Sequence, residues 1–265
     1  MTRFDELKFS GFDELNRPPA CCTCLIRFCQ LHKRTFIQNV RNWQSGAVDA
    51  ALANDPSLAN YSDKIGKTPL HHCAEINARK FRLSVDDSLK TAQVLLRAGA
   101  AVNCIRIIVD DGEEFQATPL WYAVAWGKNY DLARLLLESG AQPDDHAVGS
   151  AIWDQDLRIA ELLRTMGAKI DHVFRGETPL LRNVKARRLK LLKWLIDHGA
   201  EINFQDPDGY SALHYAARGS HTLAQVEELL AYGARPQLKA KDGNTPITLA
   251  EAKGKSRLVK LLKSF

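Results

Sequence analysis

The pair Gly-Ala closes a leucine-rich stretch at five places in this chain, beginning at residues 99, 140, 167, 199 and 233. The stretches read VLLRAGAAVN, LLLESGAQPD, LLRTMGAKID, WLIDHGAEIN and LLAYGARPQ. Their spacings of 41, 27, 32 and 34 residues describe a period of about 33 with one insertion and one deletion. A second motif recurs in step: GKTPLHHCA (66–74), QATPLWYAV (116–124), GETPLLRNV (176–184), GYSALHYAA (209–217) and GNTPITLAE (243–251). Self-similarity at this period is the mark of one supersecondary unit stacked many times.

The chemistry of a unit follows from its residues. Asp-x-x-Gly makes a tight turn in which Gly supplies a positive φ. Thr then caps a helix whose first position is Pro, where the missing N–H costs nothing. A polar break reverses the chain into a second helix with apolar residues at helical spacing, as in Leu132, Leu135, Leu136 and Leu137. Gly ends that helix just past its cap. Neither helix buries its apolar stripe alone, so the units must stack.

These motifs resemble the ankyrin repeat. Asp208, Gly209, Ser211, Leu213, His214, Ala216 and Ala217 follow that signature in one unit, and Gly199, Ala200 and Asn203 close the unit before. The resemblance covers residues 33–265 and implies an all-α solenoid of helix-turn-helix units with β-turn or hairpin fingers. About five repeats are expected, between an N-terminal cap (KRTFIQNVRNWQSGAVDAALANDPSLAN) and a C-terminal cap (TPITLAEAKGKSRLVKLLKSF) whose last helix is more polar. Residues 1–32 are expected to form an N-terminal arm and a Cys-rich capping helix. Three stretches depart from the pattern. DDHAVGSAIWDQDLRIAELL lacks both the turn and TPLH, so its finger should be stunted. Residues 77–90 lengthen a helix connection. CIRIIVDDGEEFQ (104–116) has a β-branched run before Asp-Asp-Gly, which predicts an extended hairpin.

Composition narrows the function class. Thirty-six Lys and Arg against 31 Asp and Glu give +5, too mild a balance to point to nucleic acid. No window approaches the ~20 apolar residues that span a bilayer, and the first residues, MTRFDELKFSGFDEL, lack the order of a secretion signal. A cytoplasmic protein with its six cysteines as thiols is expected. No phosphate loop, GxGxxG, HExxH or GxSxG occurs. His71 and His214 read as the structural histidines of TPLH, and Cys73 as a buried replacement for alanine. No enzyme activity, cofactor or metal is expected. Arg182, Lys185, Arg187, Arg188, Lys190 and Lys193 read as a solvated face rather than an acidic-partner patch.

The resemblance implies that a partner protein binds a concave side built from finger tips and first-helix ends. Carried over by position, the first-helix pairs are Glu75 and Ile76, Ala125 and Trp126, Trp153 and Asp154, Lys185 and Ala186, and Arg218 and Gly219. The finger positions include Ile65, Phe115, Phe174, Arg175, Glu177, Asp208 and Tyr210. Aromatic residues at such positions have no core role, so Ile76, Phe115, Trp126, Trp153, Phe174, Arg175, Lys185, Tyr210 and Arg218 are the candidate partner-binding residues. Trp43, Trp121 and Trp194 fall at core-facing positions. The expected protein is a monomer when free, binding neither nucleic acid nor membrane. Inhibition, sequestration or tethering of the partner would be its role, as in bacterial immunity proteins or host-directed effectors.

One cluster stands outside the repeat. Cys21, Cys22, Cys24 and Cys29 fall within nine positions, followed by His32. Cys22, Cys24, Cys29 and His32 supply the four N or S ligands of a tetrahedral zinc site, at a spacing that matches no common zinc pattern. That reading makes the alternative function a zinc- or redox-responsive regulator. Pro18 and Pro19 instead mark a helix start, after which Cys22, Leu25, Ile26 and Cys29 fall at helical spacing, and this reading is preferred. The duplicated FDEL at 4–15 reads as a loose arm or a docking peptide.

Overall fold

The computed structural model, which describes residues 22–110 and 113–265, turns the period into stacked helix pairs. Cys22–Arg41 (α1) packs on Ser45–Asn54 (α2). Pro69–Ala74 (α3) is followed by the short Ala78–Phe81 (α4) and by Val85–Arg97 (α5). The hairpin of Arg106–Asp110 (β1) and Glu113–Ala117 (β2) leads into Pro119–Tyr122 (α6), which widens to a π turn over Ala123–Gly127 before Tyr130–Glu138 (α7). Then come Asp145–Trp153 (α8) with Leu157–Thr165 (α9), and Pro179–Lys185 (α10) with Leu192–Asp197 (α11). Ala212–Arg218 (α12) with Leu223–Ala231 (α13), and Pro246–Ala252 (α14) with Ser256–Lys263 (α15), complete the array. First helices pack on first helices from α1 through α3, α6, α8, α10 and α12 to α14, while α2, α5, α7 and α9 form the second row. The core is the continuous layer between the rows.

Local sequence explains the turns. Gly99 takes φ +83° and donates to Leu96 O, while Ala100 donates to Leu95 O, both at 3.0 Å. This 6→1 and 5→2 pattern satisfies the last carbonyls of α5 and favours a residue without Cβ. The other four Gly-Ala pairs repeat it. Thr118 and Thr178 cap α6 and α10 by accepting from Trp121 N and Leu181 N. His71 is fully buried. Its Nδ1 accepts from Thr68 N at 3.1 Å, which leaves Nε2 to donate to Ala117 O at 3.1 Å. His214 makes the same bridge, from Ser211 N to Asn244 O.

An amide four residues after Gly staples two of the units to the next. Asn103 donates to Gly140 O and accepts from Gln142 N; Asn203 does the same with Gly233 O and Arg235 N. Asn60 forms the matching pair with Gly99 O and Ala101 N. Where aspartate takes this place only the accepting half survives, as in Glu201 N to Asp171 Oδ2 at 2.7 Å.

The irregular stretches take the forms their sequences predict. β1 and β2 pair antiparallel from Arg106↔Ala117 to Asp110↔Glu113. Between α7 and α8 the chain passes without a turn, and Asp144 caps α8 in place of threonine. Residues 77–90 form α4 and the start of α5. The first helix runs unbroken from Cys22 to Arg41, so the expected start of the array at 33 falls inside it. Residues 1–21, with Cys21 and the FDEL duplication, lie outside the described residues, as do the side chains of Cys22, Cys24 and Cys29. Among the described residues, no helix is long and apolar enough to cross a membrane.

Candidate functional site

A groove of about 480 Å³ opens across three consecutive units, between the finger side and the first helices. Its wall begins with the inner face of the hairpin, where Ile108 and Phe115 are cross-strand partners. Phe115 meets Trp121 edge-on at 5.0 Å between ring centroids, and reaches Phe174 of the next finger at 6.1 Å. His146, near the start of α8, lies between them at 5.2 Å from Phe115 and 5.3 Å from Phe174. The floor is α8, where Gly149 and Ser150 face the opening. Trp126 stands at the rim with 59% of its surface exposed. Burial, and then the neighbouring His172 ring at 4.4 Å, hold the His146 imidazole below its usual range.

Cations and rings alternate along the far side. Arg188 lies 4.1 Å over the Trp153 ring and donates to the Trp153 carbonyl at 2.7 Å, while Arg182 lies 4.8 Å from the same ring. Lys185 covers Tyr215 at 4.6 Å and pairs with Glu177. Arg218 sits 5.3 Å from both Tyr210 and Tyr215. The two phenols are tied down: Tyr210 donates to Asp242 and Tyr215 to Asp206, each at 2.5 Å.

Nearer the N-terminus a buried ion-pair network fills the first finger. Lys67 pairs with Glu75 and lies 4.6 Å over the Tyr122 ring, whose hydroxyl accepts from Arg106. His72 joins Glu75 at 3.1 Å to Asp63 at 2.9 Å. Burial alone would raise the Glu75 carboxyl; bonds from His72 and Lys67 hold it at about 2. The nearby Cys104 thiol is 3.1 Å from Thr68 Oγ1 and 3.5 Å from His71 Nδ1. This is not an activated Cys-His pair. Burial raises the Cys104 thiol, and His71 Nδ1 already accepts from backbone. Among the described residues, no group of three or more His, Cys, Asp or Glu is placed to hold a metal ion.

The structure sorts the sequence-predicted residues. Phe115, Trp126, Trp153 and Phe174 line the groove, while Lys185, Tyr210 and Arg218 form the ring-and-cation strip beside it. Arg175 lies 5.2 Å from the Phe174 ring. Ile76 departs from expectation. It is only 6% exposed, because the chain turns there from α3 into the inserted α4 and carries the side chain into the core. Trp121 departs the other way. Assigned to the core by position, it is half-buried and lines the groove, since the long hairpin brings Phe115 against it. Arg182 and Arg188 both lie against Trp153, Arg188 half-buried and Arg182 still exposed. His146 and His172 carry no motif signal; their position in the unit without a finger is the one clue.

Family comparison agrees with this geometry. The model for ankyrin repeats matches three copies over residues 149–236 and a further repeat over 116–148. Inversin of Homo sapiens is 26% identical over 238 residues, covering 84% of this chain and 21% of inversin. The putative ankyrin repeat protein FPV115 of fowlpox virus is 30% identical over 160 residues, 58% of this chain and 27% of that protein. The putative ankyrin repeat protein L271 of Acanthamoeba polyphaga mimivirus is 40% identical over 77 residues, 29% of this chain and 10% of that protein. The chain thus spans between a tenth and about a quarter of these relatives.

Proposed function

The chain is an ankyrin-repeat protein, a class built for protein–protein interaction, and we propose that it is a non-catalytic module that holds a partner protein in the groove between hairpin and first helices. One observation carries the reading. Phe115, Trp121, Trp126, Trp153 and Phe174 converge on one open groove, where a fold driven only by core burial has no use for them. The groove is preformed by stacked helices, so association orders little of the chain. Occupying the partner in this way inhibits, sequesters or tethers it. The site comprises Phe115, Trp126, Trp153, Phe174, Arg175, Lys185, Tyr210 and Arg218, with Trp121 added and Ile76 set aside.

The test is retention of one protein from native lysate by wild type, and its loss by a Trp126→Asp, Trp153→Asp double variant with unchanged circular dichroism. Equal retention by both proteins removes the groove from the reading.

A further inference from the structure

We infer that the ring-and-cation strip selects the partner by its carboxylates. Its occupant is a protein segment in which Asp or Glu alternates with aromatic or leucine side chains. The inference rests on the reading of the groove as a protein-binding face and narrows it to one class of partner.

The cations of the strip fall into two kinds. Lys128 and Lys185 have internal carboxylates, Asp154 at 2.9 Å and Glu177. Arg182, Arg188 and Arg218 have none within 4.0 Å among the described residues. Each of the three lies against a ring instead. A guanidinium held beside a ring by cation–π attraction still has N–H donors along its edge to fork onto a carboxylate. Arg188 commits part of that edge to the Trp153 carbonyl; Arg182 and Arg218 are exposed and commit none to a carboxylate. A side chain already held on a ring also loses little rotamer freedom when it binds.

Spacing adds a constraint. Arg182 is on α10 and Arg218 on α12, first helices that pack directly on each other. Packed helices lie about 8–10 Å apart, and an extended chain covers that distance in about three residues. The Arg182 guanidinium lies against Trp153 of α8 and that of Arg218 against Tyr215 of α12, about one to two helix spacings apart. A segment with acidic side chains about three to six residues apart therefore meets both. Its intervening apolar side chains continue toward Trp126 and Phe174.

Phosphodiester backbone fits this strip poorly. Carboxylates of Asp154, Glu177 and Asp242 are interleaved with the arginines and repel a continuous line of phosphates. The Trp153, Tyr210 and Tyr215 rings already have guanidinium or ammonium groups against them, which compete with a stacking base.

The experiment measures the full chain against an array of dodecapeptides carrying Asp or Glu at every third position among Phe, Trp and Leu. Each peptide is paired with its Asn/Gln counterpart, and oligothymidylate of equal length is included. The acidic member of a pair should bind about tenfold tighter at low salt, a margin that shrinks as salt screens it. Arg182→Gln with Arg218→Gln should bring the acid-to-amide ratio to about one, whatever change both members share. Trp126→Ala should weaken both members alike. The amide peptides thus report on the groove, and the acid-to-amide ratio on the inference. Equal binding of acid and amide by wild type overturns the inference and leaves the groove standing. Preference for oligothymidylate over the acidic peptides overturns it in favour of phosphate, and failure of every peptide overturns both readings.

Discussion

Acidification tests the link between the TPLH histidine and the groove. His71 is fully buried, with Nδ1 accepting from Thr68 N and Nε2 donating to Ala117 O. A proton on Nδ1 would turn that acceptor toward a donor and bury a charge. Burial therefore lowers the imidazole from 6.5 to about 4. The sign follows directly. Between those values the unfolded chain binds a proton that the folded chain refuses, so stability falls as pH falls through the window. It is level above about 6.5 and again below about 4. A gap of about 2.5 pH units at about 1.36 kcal/mol each makes the full loss about 3 kcal/mol, about three quarters of it reached by pH 4.5.

Urea unfolding at pH 7.5 and 4.5 measures the difference. The His71→Gln variant should be less stable at pH 7.5 by about 1–3 kcal/mol, the cost of one buried backbone group left without a partner. It should then lose about 2–3 kcal/mol less than wild type on acidification. His214 shifts in the same direction by burial and leaves part of the pH dependence in place. Because Ala117 ends β2, amide exchange in the hairpin should quicken in wild type over the same pH range. An imidazole titrating near 6.5 in the folded protein, or equal acid losses in variant and wild type, refutes the reasoning.

Other perturbations isolate the stapling of the units. Asp171→Asn should stabilise by about 1 kcal/mol: Asp171 Oδ1 is buried without a partner among the described residues, and an amide supplies the donor that Asn103 and Asn203 use. A melting temperature at or below that of wild type contradicts it. Gly127→Ala should cost about 1–3 kcal/mol, because its Cβ would stand 2.4 Å from Ala74 O between two backbones. Gly46→Ala, in α2, should gain up to about 1 kcal/mol, because its Cβ would meet no described atom within 4 Å beyond its own helix backbone. Chemical denaturation of both variants checks the contrast, and like signs for the two would refute it.

The parts legible in the sequence are those whose causes lie within a few residues. Thr68 or Thr118 before Pro, and Gly99 after a leucine stripe, fix caps and helix ends through bonds spanning three to five positions. The hairpin follows in the same way from β-branched residues before Asp-Asp-Gly. Burial at the candidate site has its causes elsewhere. Ile76 is core because an inserted segment draws the chain inward, and Trp121 is open to the groove because Phe115, across the hairpin, stands against it. Arg188 is half-buried, and Arg182 is held though exposed, because Trp153, 35 and 29 residues away, offers them a ring. Position within a repeat specifies which side of the array a residue occupies. It does not specify which neighbour reaches it.

The two faults in the period account for where the groove lies. The longest spacing, 41 residues from Gly99 to Gly140, contains the added hairpin. The shortest, 27 residues from Gly140 to Gly167, has lost its finger, and Asp144 caps α8 directly. In a regular array, each finger would pack beside the next and leave only a shallow trough. Here one finger is missing beside one that is overlong. Phe115 from the long hairpin and Phe174 from the following finger therefore meet across the gap, with His146 of the fingerless unit between them. The residues that a finger would cover, Gly149, Ser150 and Trp153, become the floor and far wall of the groove. Insertion and deletion act as one device. The extra residues supply a wall, the absent residues supply the space beside it, and the regular repeats on either side hold both in register.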